Sequence, residues 1–188
     1  ILRNIEGLQR VAGRERELVD TLRRLAALDG LQHLAADLRR EAKGLAEGVL
    51  ADNALSEAIL RDMIKADDND AWALAELTKV REKAEDYKEV FSLLVRQAEI
   101  AAEGEKIREL KHRAAAVAQD KLADDKKAIE LYGQIFEDEP NDTKASGALR
   151  ELYAKAGKNK DLLDLLARLI DLADSASSRA NLRLDCAQ

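Results

Sequence analysis

Cysteine, proline and aromatic residues are scarce in this chain of 188 residues, which has one Cys, one Pro and 3% aromatics. A lone cysteine, Cys186, excludes an internal disulfide framework. A reducing compartment is therefore the default, and we take the cytoplasm as the default location, although the sequence does not fix it. No run approaches eighteen apolar residues and no signal peptide is recognisable, so we expect neither membrane insertion nor export.

An excess of charge of one sign is also missing. The net charge of −6 comes from interleaved acidic and basic residues, which argues against generic binding of nucleic acid or anionic membranes. What the chain does have is 46% hydrophobic residues, mostly Ala and Leu, together with 36% charged residues. This composition favours helices throughout, and no run alternates apolar and polar residues as a strand would.

Apolar residues at helical spacing predict ten helices and the start of an eleventh, limited by Gly, Pro and capping residues. The expected ranges are 1–11, 17–28, 31–49, 54–65, 71–82, 86–101, 105–121, 124–138, 143–156, 160–172 and 179–188. They pair into hairpins at about 1–29, 31–67, 70–102, 104–139 and 142–174, with a partial sixth unit at 177–188. Because both ends of the pattern look unfinished, we expect one repeat array excised from a longer protein.

The chain repeats itself. The segment from Leu122 to Asp142 resembles the segment from Leu50 to Asp70, 72 residues earlier. Residues 8–25 match residues 152–169, at an offset of 144, with eight identities in eighteen. The repeating unit is therefore a hairpin of about 36 residues. Counted along the chain, the odd-numbered hairpins resemble one another best, and so do the even-numbered hairpins. Helices five and six align with nine and ten at an offset of 75, which predicts three extra residues between Asp142 and Leu149. A two-helix repeat of this length predicts a solenoid.

Two of the hairpins carry a recognisable signature. A small residue, an aromatic, an apolar residue and a proline stand at fixed spacing, as Ala128, Tyr132, Ile135 and Pro140. The next helix continues the pattern with Leu149, Tyr153 and Gly157, whereas Ser146 and Arg150 depart from it. These residues resemble the tetratricopeptide repeat (TPR) family. The resemblance implies an all-α, right-handed α-α superhelix, a TPR-like solenoid of antiparallel helix hairpins.

No motif points to catalysis, a cofactor or a metal. His33 and His112 lie far apart and outside any ligand spacing, so we interpret them as helix-surface or groove residues. The acidic turns at 67–70 and 137–142 lack the pattern of a calcium loop, and we interpret them as caps between helices. Cys186 is expected to be a small buried hydrophobe rather than a nucleophile. We therefore predict that the chain is not an enzyme.

The TPR resemblance also implies where a partner binds, because in that family the first helix of each repeat lines the concave groove. The candidate partner-binding residues carried over are Arg3, Arg10, Glu41, Asn69, Trp72, Glu76, Lys79, Arg113, Val117, Asp120, Lys121, Lys144, Glu151 and Lys155. Asn is absent from the groove position at which some TPR domains clamp a C-terminal carboxylate, so that clamp is not expected. Trp72 either anchors a peptide in the groove or packs into the next hairpin.

These observations predict a non-catalytic protein–protein interaction scaffold that binds a protein or peptide partner through its concave face. One alternative is a regulatory or sensory arm of a larger enzyme or signalling protein. Another is an RNA-binding helical repeat, which the interleaved charge and scarce aromatics make less favoured. The oligomeric state and the partner's identity are left open by the sequence.

Overall fold

The computed structural model describes residues 1–173, 175, 179, 180 and 183. Its helices are α1 (Leu2–Ala12), α2 (Glu15–Ala26), α3 (Gln32–Gly48), α4 (Asn53–Ala66), α5 (Ala71–Lys83), α6 (Tyr87–Ile100), α7 (Gly104–Asp120), α8 (Asp125–Asp138), α9 (Thr143–Lys155) and α10 (Asn159–Leu172). All ten helices predicted up to residue 172 are confirmed, with each end within about two residues of its expected place. The predicted eleventh helix and the partial unit at 177–188 lie outside the described residues except at Arg179, Ala180 and Arg183. Cys186 lies outside them altogether.

The chain divides into two compact units, Ile1–Asp86 and Tyr87–Gln188. In the first unit α1 packs on α2, α2 on α3, α3 on α4 and α4 on α5. In the second unit α6 packs on α7, α7 on α8, α8 on α9 and α9 on α10. The predicted all-α fold class of packed helical hairpins is thereby confirmed. Across the described residues, none of the helices has the length and apolarity needed to cross a membrane.

Aspartates cap four of these helices. The carboxylates of Asp52, Asp70, Asp124 and Asp142 each accept a hydrogen bond from the backbone N–H three residues further on, at 2.8–3.2 Å. A cap of this kind is worth about 1 kcal/mol, because the first N–H groups of a helix have no partner inside it. The acidic turns at 67–70 and 137–142 thus contain helix caps, as predicted.

One type of turn follows α1, α5 and α9, and we call it the odd turn. Its left-handed residue is Gly13, Glu85 or Gly157, with φ of 63°, 56° and 64°. The next residue donates its N–H to the carbonyl five residues before it, for example from Arg14 to Gln9 and from Lys158 to Tyr153. Glycine suits the left-handed conformation at two of the three sites because it has no Cβ to clash.

A different turn follows α3 and α7, and we call it the even turn. Here the left-handed residue is Ala51 or Ala123, with φ of 50° and 51°. The following aspartates, Asp52 and Asp124, donate their N–H to the carbonyls of Ala46 and Ala118, both at 2.8 Å. The two turns alternate along the chain, so the resemblance of odd hairpins to odd and even to even is also present in the backbone.

The predicted insertion of three residues between Asp142 and Leu149 is wrong. Helices α5 and α9 both contain 13 residues and begin directly after the caps Asp70 and Asp142. The offset therefore stays at 72 residues through this pair. The error arose because residues three positions apart share a helix face, so an alignment that maximises leucine identities can slip by nearly one turn.

The core of the second unit is continuous through its helices. Leu94 of α6, Ala114 of α7, Tyr132 of α8 and Leu149 of α9 belong to one buried cluster. Tyr132 is only 3% exposed, as a core aromatic should be. Ser146 is buried as well, and its hydroxyl donates to the backbone carbonyl of Thr143 at 3.3 Å, which satisfies a polar group in the core. The first unit has its own buried set, which includes Leu22, Ile59, Leu60 and Leu74.

We expect Tyr132→Ala to lower the free energy of unfolding by about 3–5 kcal/mol, because the loss of a packed aromatic ring leaves a cavity. Chemical denaturation followed by circular dichroism measures this change. Tyr132→Phe, which keeps the ring, is the control and should cost no more than about 1.5 kcal/mol. A loss below about 1 kcal/mol for the alanine variant would contradict the buried position of Tyr132.

Candidate partner-binding face

Most of the candidate residues lie on the first helices, and Asn69 and Lys121 flank α5 and α7. We call the sides that carry them, on α1, α3 and α5 in the first unit and on α7 and α9 in the second, the first-helix face of that unit. We describe this face separately in each unit. Four candidates are half-buried, namely Glu41, Trp72, Glu76 and Val117. The others are exposed: Arg3, Arg10, Asn69, Lys79, Arg113, Asp120, Lys121, Lys144, Glu151 and Lys155. Every candidate is therefore within reach of a partner.

In the first unit an ion pair joins α1 to α3. The guanidinium of Arg10 contacts the carboxylate of Glu41 and also that of Glu6, the latter at 2.8 Å. Arg3 and Glu41 line a cavity of about 180 Å³ between α1 and α3. Because pockets for small-molecule ligands typically exceed about 300 Å³, this cavity has room for little more than a side chain.

A second ionic link joins α3 to α5 through Lys43. Nζ of Lys43 lies 2.8 Å from Oε2 of Glu76. The other carboxylate oxygen of Glu76, Oε1, lies 2.6 Å from Nζ of Lys79. Glu47, one turn along α3, is the other partner of Lys43. Hydrogen bonds from Lys43 and Lys79 lower the pKa of Glu76. Burial by itself would lower the pKa of Lys43, but its bonds to the two glutamates outweigh burial and raise it.

Trp72 lies beside this link, with cations over its ring. The guanidinium carbon of Arg40 is 5.1 Å from the centre of the ring, and Nζ of Lys43 is 5.9 Å from it. Both distances fall within the range of a cation–π contact. Two cations of α3 thus lie against the indole, and part of it stays open to solvent. Asn69 is exposed two residues before α5 begins, and its backbone N–H donates to Asp67.

Arg40 and Lys43 were missed by the sequence reasoning, which selected only the groove positions of the family. Lys43 is the more informative omission, because its side chain is only 9% exposed although it carries a charge. Glu47, four residues on, was a visible signal for one partner. The pairing with Glu76, 33 residues on, depends on how α3 and α5 are rotated about their axes, which no local pattern specifies.

In the second unit two candidate lysines contact neighbouring helices. Nζ of Lys155 lies 2.7 Å from a carboxylate oxygen of Asp125 in the first turn of α8. Nζ of Lys121 lies 5.1 Å from the centre of the Tyr87 ring in α6. Burial, and secondarily the nearby charge of Asp120, raises the pKa of Tyr132. Arg113 and Val117 lie on α7, and Lys144 and Glu151 lie on α9.

His112 links α7 to the start of α9. Its Nε2 lies 2.8 Å from Oδ2 of Asp142, whose other oxygen caps α9. Burial alone would raise the pKa of Asp142, but hydrogen bonds from the Ala145 amide and from His112 outweigh burial and lower it. The Tyr132 ring lies 5.9 Å from the imidazole, centre to centre. Within the described ranges no three His, Cys, Asp or Glu side chains gather as they would around a metal ion.

We expect Lys43 and Glu76 to stabilise the protein as a coupled pair, because both carboxylate and ammonium are largely withdrawn from water. A double-mutant cycle with Lys43→Met and Glu76→Gln, followed by chemical denaturation, should give a coupling free energy of about 1–3 kcal/mol. The matched control is the exposed pair Arg14 and Glu17, which should couple by no more than about 0.5 kcal/mol. Equal coupling in the two cycles would contradict the buried link.

Comparison with known proteins bears on the fold. No family model matches the chain, and no curated protein matches it. A solved structure of MamA AMB-1 aligns over 94% of this chain and 93% of that one, with 17% identity and a TM-score of 0.51. YrrB, described as a TPR protein with an unusual peptide-binding site, aligns over 71% of this chain and 66% of that one, with 20% identity and a TM-score of 0.46. At such identities the similarity concerns the fold alone, and the chain has the fold of a TPR-like α-solenoid.

Proposed function

We propose that the chain is a non-catalytic scaffold that binds a peptide or protein partner through the first-helix face of its first unit, with Trp72 as an anchor. The observation that carries the proposal is the half-buried indole of α5, fixed beneath Arg40 and Lys43 of α3. An aromatic side chain has few rotatable bonds, so it loses little conformational entropy on binding and offers a large contact area. Trp is also among the residues that most often dominate binding energy at interfaces.

The charges around Trp72 favour a partner of mixed character. Glu41 is paired with Arg10, and Glu76 with Lys43 and Lys79. Paired charges present no strong field of one sign, so the proposed partner is recognised by an apolar or aromatic side chain at Trp72 with a polar rim around it. This arrangement also favours a peptide or protein over a nucleic acid, whose binding depends mainly on unpaired cations.

Within the described residues, His112 and Asp142 have the composition of a catalytic pair but not its access to solvent. The histidine with a carboxylate neighbour, His112, is bonded to Asp142, and that aspartate serves as the cap of α9. Both side chains are nearly withdrawn from solvent, at 13% and 12% exposure. A substrate would therefore have poor access to the pair, which supports a structural role.

We expect peptides selected from a phage-displayed random library on the purified chain to bind at Trp72. The chain contains one Trp, so a shift in its fluorescence emission reports contact directly. Trp72→Ala should weaken the selected peptides by about tenfold or more, as truncation of a hot-spot residue does.

The matched control is Phe91→Ala, which removes another half-buried aromatic ring, outside the first helices, with Nζ of Lys127 5.2 Å from its centre. It should leave affinity within about twofold of the unmodified chain, and melting curves of both variants check that they fold. Peptides that bind equally well to the Trp72 variant, or that leave the emission unchanged, would overturn the proposed anchor.

A further inference from the structure

A cavity of about 340 Å³ lies in the second unit between α6, α7 and α8. Its apolar walls are formed by Phe91, Val95, Ala98, Ala114 and Leu131. Phe91 and Val95 are half-buried, whereas the other three are buried. The volume falls at the lower end of the range of pockets that bind small organic molecules. None of the candidate residues on the first-helix face of the second unit lines this cavity, so it is a separate site.

The equivalent place in the first unit is bridged by an ion pair. Helices α2, α3 and α4 begin 72 residues before α6, α7 and α8, so each residue of the cavity has a counterpart there. The counterparts of Val95 and Gln134 are Arg23 and Asp62, whose side chains join α2 to α4 at 2.6 Å. Val95 and Gln134 cannot form such a pair. The cavity is therefore open because of a difference in sequence between two copies of the same fold.

The charges around the cavity are unevenly matched. Two lysines line it, and each is paired with an aspartate outside the lining, Lys111 at 3.0 Å and Lys127 at 3.1 Å. Nζ of Lys127 also lies 5.2 Å from the centre of the Phe91 ring. Two exposed carboxylates, Glu99 and Glu130, line the cavity as well, and neither has an ion-pair partner in the part of the chain that the structure describes. The charges left unmatched at this cavity are thus negative.

We propose that the cavity binds a small organic cation, with its apolar body among the apolar side chains and its ammonium group beside Glu99 and Glu130. Charge complementarity favours a cation, since an anion would be repelled by the two unmatched carboxylates. In the first unit Ala27 and Ala58 stand at the positions of these glutamates, so the acidic rim, like the opening, distinguishes the second unit from the first. The inference is independent of the proposed function, because Trp72 lies in the first unit.

The test compares three probes of nearly equal size, namely phenethylamine, a cation at neutral pH, phenethyl alcohol, which is neutral, and hydrocinnamate, an anion. In NMR spectra of the full chain with labelled methyl groups, the signals of Val95 and Leu131 should shift in a saturable way. Those of Ile59, the counterpart of Leu131 in the first unit, should stay unchanged. We expect the amine to bind with a Kd of about 1 mM or below. It should bind about threefold tighter than the alcohol and about tenfold tighter than the anion.

Two double variants separate the shape of the cavity from its charge. Val95→Arg combined with Gln134→Asp copies the ion pair of the first unit, and we call it the copied-pair variant. It should weaken amine binding by about tenfold or more, because the new side chains fill the space that the ring needs. Glu99→Gln combined with Glu130→Gln should lower the affinity for the amine to about that for the alcohol.

The matched control is Glu105→Gln combined with Asp171→Asn, which removes the same charge from exposed residues of the second unit outside the cavity. It should leave the affinity for the amine within about twofold of that of the unmodified chain. Melting curves followed by circular dichroism check that every variant folds.

Equal or tighter binding of the alcohol or the anion would overturn the proposal, as would amine binding that the copied-pair variant retains in full. The absence of a saturable shift up to about 10 mM amine would overturn it too. So would a dimer of the unmodified chain, seen by sedimentation, that the copied-pair variant dissociates, because a second copy would then occupy the cavity. Binding of the blocked peptide acetyl-Phe-Arg-amide more than about tenfold tighter than the amine would assign the cavity to a peptide instead.

Discussion

The need of each short helix for a neighbour is the constraint on which this structure depends. The described helices contain between 11 and 17 residues, a length at which an isolated helix is marginal in water. Each must therefore bury its apolar stripe against a neighbouring helix. In the second unit this produces one cluster that runs from Val90 to Leu165, with Tyr132 inside it. Stability is thus shared between neighbours instead of being stored in any single hairpin.

The alternation of two turns determines how neighbours meet. The odd turn at Gly13 and Gly157 and the even turn at Ala51 and Ala123 give the chain a structural period of two hairpins. The first helix of a hairpin buries one side against the second helix of a hairpin, as α5 does on α4 and α9 on α8. Its other side is open to solvent. Ionic links from α1 to α3 and from α3 to α5 bridge that exposed side in the first unit. The face proposed for binding is therefore a product of the packing, with Trp72 placed within it by Arg40 and Lys43.

Features with local causes could be predicted from the sequence alone. Helix ends follow from capping aspartates such as Asp70 and Asp142, and the burial of Tyr132 follows from the repeat signature. The register of α5 against α9 was mispredicted, because a slip of three residues preserves the apolar pattern of a leucine-rich helix. The ion pair between Lys43 and Glu76 was also not predicted. The two residues are 33 positions apart in sequence, and their contact depends on how α3 and α5 are rotated relative to each other. Within the candidate face, the sequence could thus select positions that are exposed or half-buried, but not the contacts that orient their side chains.

Native-state hydrogen exchange along the unmodified chain tests the dependence on neighbours most directly. We expect graded protection, with the amides of α7 and α8, which have a neighbour on either side, exchanging much more slowly than those of α1. Uniform protection from α1 to α10 would contradict it, because that result would mean that the chain opens only as a single cooperative whole.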